Sequence, residues 1–395
     1  MSKFSLLSIK LSMKLSACLF VLCLLMFATN VSAQTEPDRM ADDFVLTSLC
    51  IADPTDWRED VLGTTGHAFL RLQCPFYGLD YCFSYEGENV NDNLLRYVSG
   101  ETKMGMFAIP TAEYLKDYEH WNRSVHEYRL NLPADAEVRL WEIMDNHLTQ
   151  GIVLRQDLNK YGCAITVVRY VKKALGKTRI VYAKDEALSS MTRREIGYRS
   201  LHRYPWLRLS SMLMTDNRYD KQCPLDEKLV VPADLAEVWQ HAKVADKPMA
   251  TYIGDLVEGA ALPDKDPWLT PMLLSVLILF ITLAFALTRY TYWDWLMISV
   301  QAVFGIMLIA TWVMMKEFGN SALLLLVLFN PLPLICIRWR RVWSMPYAIV
   351  LLVWAMVLAL WPHMMVDPSL IVLCLSFVVI YSKDWVRKKL NARKR

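Results

Sequence analysis

The chain has 395 residues, with 43 lysines and arginines against 40 aspartates and glutamates, so a net charge of +3 selects no class of partner. Its 54% hydrophobic content averages two unlike halves: residues 35–265 are mixed and charge-rich, whereas 268–382 are almost continuously apolar and aromatic. About 230 soluble residues bury a sizeable core without staples, which excludes a small disulfide-dependent scaffold.

Lys3, Lys10 and Lys14 precede an apolar run from Leu15 to Ala28, and Val31-Ser-Ala33 follows as a small-residue cleavage site. Residues 1–33 therefore predict a secretory signal, cleaved or kept as an anchor. Leu15-Ser-Ala-Cys18 has the letters of a lipobox, but its apolar run follows the cysteine instead of preceding it. Export places residues 34–262 in an oxidising compartment with five cysteines, Cys50, Cys74, Cys82, Cys163 and Cys223. That number is odd, so at least one stays unpaired or bonds outside the chain. Cys74 and Cys82 bracket a hairpin loop that a disulfide could close, with Cys50–Cys223 as the remaining pair and Cys163 left over.

The stretch from Asp43 to Ala52 reads as a strand. From Gly66, the residues His67, Phe69 and Arg71 alternate with Ala68, Leu70 and Leu72, the period of a half-buried strand, and 66–86 predicts a hairpin. Val138, Trp141, Met144 and Leu148 recur at helical spacing after Pro133. Next, Ile165, Val168, Val171 and Leu175 predict a helix opened by Gly162-Cys163 and stopped by Gly176. A cysteine in the first turn of a helix meets the positive end of the dipole and unpaired N–H groups, and both favour thiolate. The stretch from Lys184 to Arg208 is basic and aromatic, suited to lipid headgroups or to an ordinary solvated surface. A short helix follows at Pro232–Trp239, and residues 263–267, with two prolines and three charges, form a linker.

Five apolar stretches, at 268–288, 293–315, 321–337, 346–365 and 368–382, predict five spans, the third and fifth short for a bilayer. Arg289, then Arg338, Arg340 and Arg341, then a basic tail at 383–395 mark one side as cytoplasmic. An odd number of spans puts the soluble domain outside, where the signal sends it, and nucleic acid is not a partner there. Asn330-Pro331 interrupts the third stretch, either as a site for a lipid or peptide or as a packing kink. Glu317 and Asn320 lie on the outer side, where they could face the soluble domain.

His67 on a strand and Cys163 at a helix start supply a base and a nucleophile. The third, orienting residue belongs on the following strand; Ser84 comes first and Glu86 second, because a bulge would slip the register. There is no His-Glu-x-x-His and no Cys-x-x-Cys among the seven dispersed histidines and the cysteines, so neither a metal nor another cofactor is expected.

The order His then Cys is similar to the circularly permuted NlpC/P60-like group. Gly66-His67-Ala-Phe-Leu-Arg71, Tyr97-Val-Ser-Gly100, Pro110 through Tyr118, Asn122-Arg123, Leu130-Asn-Leu132, the Cys163 segment and Asn330-Pro331-Leu332 resemble the Lnb family over nearly the whole mature chain. This family is associated with N-acylation of bacterial lipoproteins. The resemblance implies an α+β fold, with a permuted papain-like domain at 34–262 followed by a five-helix transmembrane domain at 268–382, in the bacterial inner membrane with the catalytic domain periplasmic and the C-terminus cytoplasmic. It implies an acyltransferase in which Cys163 takes an acyl group from a membrane phospholipid or from a lipoprotein's glyceride, and passes it to the α-amine of the lipoprotein's N-terminal cysteine. The family usually has Asn before the Cys. Here Gly162 stands there, so its positioning role is unsupplied or falls to Asn159 or Tyr161. An envelope peptidase or amidase acting on cell-wall peptide, and a non-catalytic envelope scaffold, are the alternative readings.

Overall fold

The structure, a computed structural model, describes residues 45–87, 96, 102–151, 154–155, 162–183, 186–215, 217–262, 268–288, 290–314, 321–360 and 366–393. The expected signal with Cys18, the linker at 263–267, the motif at 97–100, Asn159, Tyr161, Glu317 and Asn320 lie outside these residues.

The soluble half is built on a seven-stranded antiparallel sheet. Its strands are β1 (Leu46–Ala52), β2 (His67–Cys74), β3 (Leu79–Gly87), β4 (Lys103–Pro110), β5 (Val125–Leu130), β6 (Leu154–Arg155) and β7 (Ala250–Val257). They lie in the order β6-β4-β3-β2-β1-β5-β7. Period-2 alternation divides the side chains between two layers. Leu49, Ile51, Leu70, Leu72, Phe83 and Tyr85 face one core, and Cys50, Phe69 and Cys82 face the other.

Helix α1 (Thr111–His120) covers the second face through Tyr114 and Tyr118. Helices α2 (Ala134–Thr149), α3 (Cys163–Leu175) and, further along, α6 (Pro232–His241) cover the first. Between α3 and α6 come α4 (Arg193–Ser200), opened by a Thr192–Glu195 capping box, and α5 (Pro205–Met214).

Arg71 pins the α1 face. It binds Asp80 through two nitrogens at 2.8 and 2.5 Å and reaches Glu127 at 3.2 Å. The hairpin at 66–86 and the helices near 135–148 and 163–175 stand where periodicity placed them, the short helix expected at 232–239 is present, and β1 starts at Leu46.

The disulfide expectations fail on strand geometry. Cys74 pairs with Leu79 while Cys82 pairs with Arg71, an odd offset that sends Cys74 and Cys82 to opposite faces. Cys50 lies on the α1 face, whereas Cys223 adjoins Glu227 and Lys228 under α3, across the sheet. The described cysteines are all free.

The apolar half contains three helices long and apolar enough to cross a membrane: within α8 (Tyr292–Met314), α11 (Arg340–Leu360) and α12 (Pro368–Arg393). The other two expected spans are shorter apolar helices. One is α7 (Pro271–Leu287); the other is broken into α9 (Ser321–Leu328) and α10 (Leu332–Ile335). The break follows from Asn330 and Pro331: the Asn330 side chain accepts from Leu332 N–H at 2.9 Å, a turn that ends α9. Gly305 of α8 lies against this break, where an added Cβ would meet the Phe329 carbonyl oxygen at 2.0 Å. The fifth stretch is not short, since α12 continues through the basic residues, so residue 383 marks a change of composition and not the end of a helix.

Two charges are buried where α8 and α12 meet: Asp294 is ion-paired with Lys383 at 2.5 Å, and it accepts from the half-buried Arg340 of α11 at 2.9 Å. The two halves dock through α4 and α5. Tyr198 donates to Asp367 at 3.3 Å, Arg208 pairs with Asp367 at 3.7 Å, and Trp206 donates to the Leu269 carbonyl at 2.7 Å. Tyr204, just before α5, donates to the Thr55 carbonyl at 3.3 Å. Thr55 follows β1, so the docking segment touches the sheet at the end where β2 begins.

Candidate active site

The site forms where the sheet opens. The β2–β3 ladder runs from Cys74↔Leu79 to Leu70↔Phe83 and stops. Beyond it, His67–Phe69 remain paired with β1, and Ser84–Gly87 with β4. The backbone edges in this wedge are released from each other, and the start of α3 enters it.

Gly66 makes the turn into β2 at φ 92°, and a side chain there would meet the Ala52 carbonyl at 2.9 Å. Only glycine combines that dihedral with that approach, which is why Gly66 precedes His67. Gly162 caps α3 in extended conformation without a side-chain cap, so the first N–H groups of the helix stay free for the sulfur.

Cys163 and His67 are hydrogen-bonded through their side chains, and each changes the other's proton affinity. Burial alone raises the Cys163 pKa. The adjacent His67 charge, the hydrogen bond from its ring and the N–H groups of Ala68 and Ala164 reverse that, and the thiol is held below its ordinary value. Burial alone lowers His67. The Cys163 thiolate, the hydrogen bond to it and Glu86 outweigh burial and a weak opposition from Arg123, and hold the imidazole above its ordinary value. Both shifts run toward a thiolate–imidazolium pair, each side chain favouring the charged form of the other. Burial pushes Cys82 the other way, up to about 12, and raises Cys50 and Cys223 too, so these remain thiols.

The proton count behind His67 fixes its orientation. His67 Nε2 lies 2.8 Å from Ser84 Oγ and 3.8 Å from Glu86 Oε1. Tyr114 contacts both, at 2.9 Å from Ser84 Oγ and in a short bond to Glu86. A carboxylate only accepts, so the single Tyr114 proton goes to Glu86, and Ser84 donates to Tyr114. The remaining lone pair of Ser84 accepts from Nε2–H, which leaves Nδ1 for the sulfur. Ser84 is 1% exposed and Tyr114 5%, so water does not compete for these bonds. The ring also lies 6.1 Å from that of Phe69, roughly parallel.

Cys163, His67, Ser84 and Glu86 thus come together. Asn330 is occupied by its turn in the membrane half and contributes nothing to this group. Three residues enter that spacing did not single out: Tyr114, Tyr118 and Arg123. Tyr118 lies 3.1 Å from Tyr114, oxygen to oxygen, and the Arg123 guanidinium sits 5.3 Å from the Tyr118 ring. The i, i+4 tyrosines of α1 were the signal for the first two. Arg123 stood in the Asn122-Arg123 motif but carried no periodic signal, because it follows Asn122, which takes a positive φ of 51° in a turn.

The arrangement is a nucleophile, a base that shares its proton, and a buried hydroxyl relay that orients the base. It suits acyl transfer through a thioester. No protein-family model, curated protein or solved structure matches the chain.

Proposed function

We propose that the protein is a membrane-bound thiol acyltransferase that N-acylates the diacylglyceryl-modified N-terminal cysteine of lipoproteins. In this reading the soluble domain has a permuted papain-like order of functional residues. The short helices α7 and α9–α10 complete five spans, and the basic flanks hold the C-terminus in the cytoplasm of a bacterial inner membrane. The observation that carries the proposal is the Cys163–His67 pair, formed between distant parts of the chain at the end of the sheet that touches the docking segment.

The Cys163 thiolate attacks the carbonyl of an acyl ester, from a phospholipid or from a lipoprotein's glyceride. Its electron pair forms the C–S bond, and the ester oxygen leaves with the proton of the His67 imidazolium. The α-amine of the lipoprotein cysteine then attacks the thioester, His67 takes the amine proton, and the thiolate is restored as the amide forms. Backbone N–H groups at the start of α3 favour the negative charge at each stage. Both substrates keep their acyl chains in the bilayer; exposing a chain to water would cost about 0.8 kcal/mol per CH₂, which explains why such chemistry is tethered to membrane helices.

The test is mass spectrometry of a lipoprotein N-terminal peptide from cells carrying the wild type or Cys163→Ala. The expected result is an N-acylated terminus with the wild type and a diacylated terminus with a free α-amine in the variant. An N-acylated terminus in both overturns the proposal, and altered cell-wall peptides with unchanged lipoproteins favour the peptidase reading.

A further inference from the structure

The basic and aromatic stretch that ends in α5 has no part in the chemistry at Cys163. Its arginines are engaged within the protein. Arg193 donates to the Arg218 carbonyl at 3.3 Å, Arg194 binds Asp220 at 2.6 and 3.1 Å, and Arg199 donates to Asp234 at 2.5 Å. Arg208 sits 4.2 Å from the Tyr198 ring and pairs with Asp367. These guanidiniums brace the docking segment, and a headgroup site does not follow from them. The aromatic rings point to something else.

Three exposed tryptophans converge where α5 meets the helix bundle. Trp206 of α5 is 42% exposed, and its Nε1 donates to the Leu269 carbonyl at 2.7 Å. That bond sets it beside Trp268, 85% exposed, three residues before α7 begins. Trp57, 47% exposed, lies in the loop between β1 and β2. Thr55 of the same loop accepts the Tyr204 hydroxyl, so Trp57 and Trp206 each stand two residues from the ends of one hydrogen bond. The three indoles therefore come from distant segments to one region.

That region is the end of a helix that can cross a membrane. Asp367, the partner of Arg208, immediately precedes α12, which starts at Pro368 and is long and apolar enough to span. Leu209 of α5 packs against the apolar core of the bundle. An indole is apolar over most of its surface and carries one N–H donor, and it concentrates at the boundary between headgroups and acyl chains. The carboxylates of the β1–β2 loop cap their own turns, with Asp56 accepting from Arg58 N–H and Asp60 from Leu62 N–H, each at 2.9 Å. Ring contact, and not attraction between charges, is what this loop offers a bilayer.

We propose that Trp57, Trp206 and Trp268 form a belt seated in the lipid headgroup layer. The catalytic domain then touches the bilayer through its own β1–β2 loop as well as through its spans. That loop runs straight into β2 at His67, so the open end of the sheet is held toward lipid. The placement does not depend on which reaction Cys163 carries out.

The test uses the full chain in phosphatidylcholine nanodiscs, with p-benzoylphenylalanine placed one position at a time at Trp57, Trp206, Trp268 and Phe76. Phe76 is the control, 72% exposed at the opposite end of β2. After irradiation, intact-protein mass spectrometry reads the addition of one phospholipid. The expected result is a lipid adduct from positions 57, 206 and 268 and none from position 76. If the label at 57 prevents folding, Trp57→Glu serves, with faster hydrogen exchange expected in residues 53–62 while β1 is unchanged. A chain that gives no lipid adduct at 57, an adduct at 76 as abundant as that at 57, or unchanged exchange in Trp57→Glu overturns the proposal.

Discussion

His67 and Cys163 have opposite pKa shifts, each against the effect of burial and with the charge of the other as the foremost opposing cause. Iodoacetamide therefore alkylates Cys163 below the ordinary thiol range, and the rate falls as acid reprotonates the sulfur. In His67→Ala the lowering partner is gone and burial remains, so the Cys163 pKa moves up and alkylation at pH 7 collapses; an unchanged pH–rate profile would contradict the pairing. The lowered Cys163 pKa contributes stability that is lost as pH falls through its folded value, and the raised His67 pKa contributes stability that is lost as pH rises through its folded value. On the proposed function, His67→Ala is expected to lower the acyl-transfer rate roughly 10²–10⁴-fold. Ser84→Ala removes one orienting hydrogen bond of about 1 kcal/mol and leaves Glu86 nearby, so a loss of roughly fivefold is expected on the proposed function, measured as kcat. The Cys and His were legible in the sequence because a helix start and a strand start carry strong local signals. The relay through Tyr114 was not, since it forms only when α1 folds over a face that no spacing rule assigns to it.

Among the elements, the break between α9 and α10 and the charge cluster joining α8, α11 and α12 carry the clearest consequences. Asp294→Ala leaves Lys383 and Arg340 without their buried carboxylate and is expected to destabilise the helix bundle by about 3–5 kcal/mol. A thermal midpoint in detergent equal to that of the wild type would show that this cluster bears no such weight. Gly305→Ala is expected to lower the same midpoint, because the new methyl group meets backbone at Phe329 instead of a movable side chain. Alkylation under non-reducing conditions should find Cys50, Cys74, Cys82 and Cys223 as free thiols. The disulfide expectation arose from loop length alone, which is blind to the side of the sheet on which each sulfur lies. Helix periodicity located α2, α3 and α6 well, because each packs one apolar stripe against the sheet. The return of β7 to pair with β5 was not legible, since that contact spans more than a hundred residues of sequence and β7 carries bulges.

At the scale of the molecule, the sheet's open end, the docking helices α4 and α5 and the membrane helices lie along one path. Asp367 joins that path by receiving Tyr198 and Arg208. Asp367→Ala is expected to loosen the two halves, seen as faster hydrogen exchange in α4 and α5 with an undisturbed sheet. The split between a charged half and an apolar half was plain from composition, whereas the docking between them was not, because it rests on single polar contacts and not on a pattern. The account depends most on Cys163 accepting an acyl group from a lipid substrate. Intact-protein mass spectrometry after incubation with a diacylated lipopeptide tests this directly. An adduct of one acyl chain, released by neutral hydroxylamine and absent in Cys163→Ala, is the predicted result; an unmodified wild-type protein, or an adduct that persists without Cys163, would contradict it.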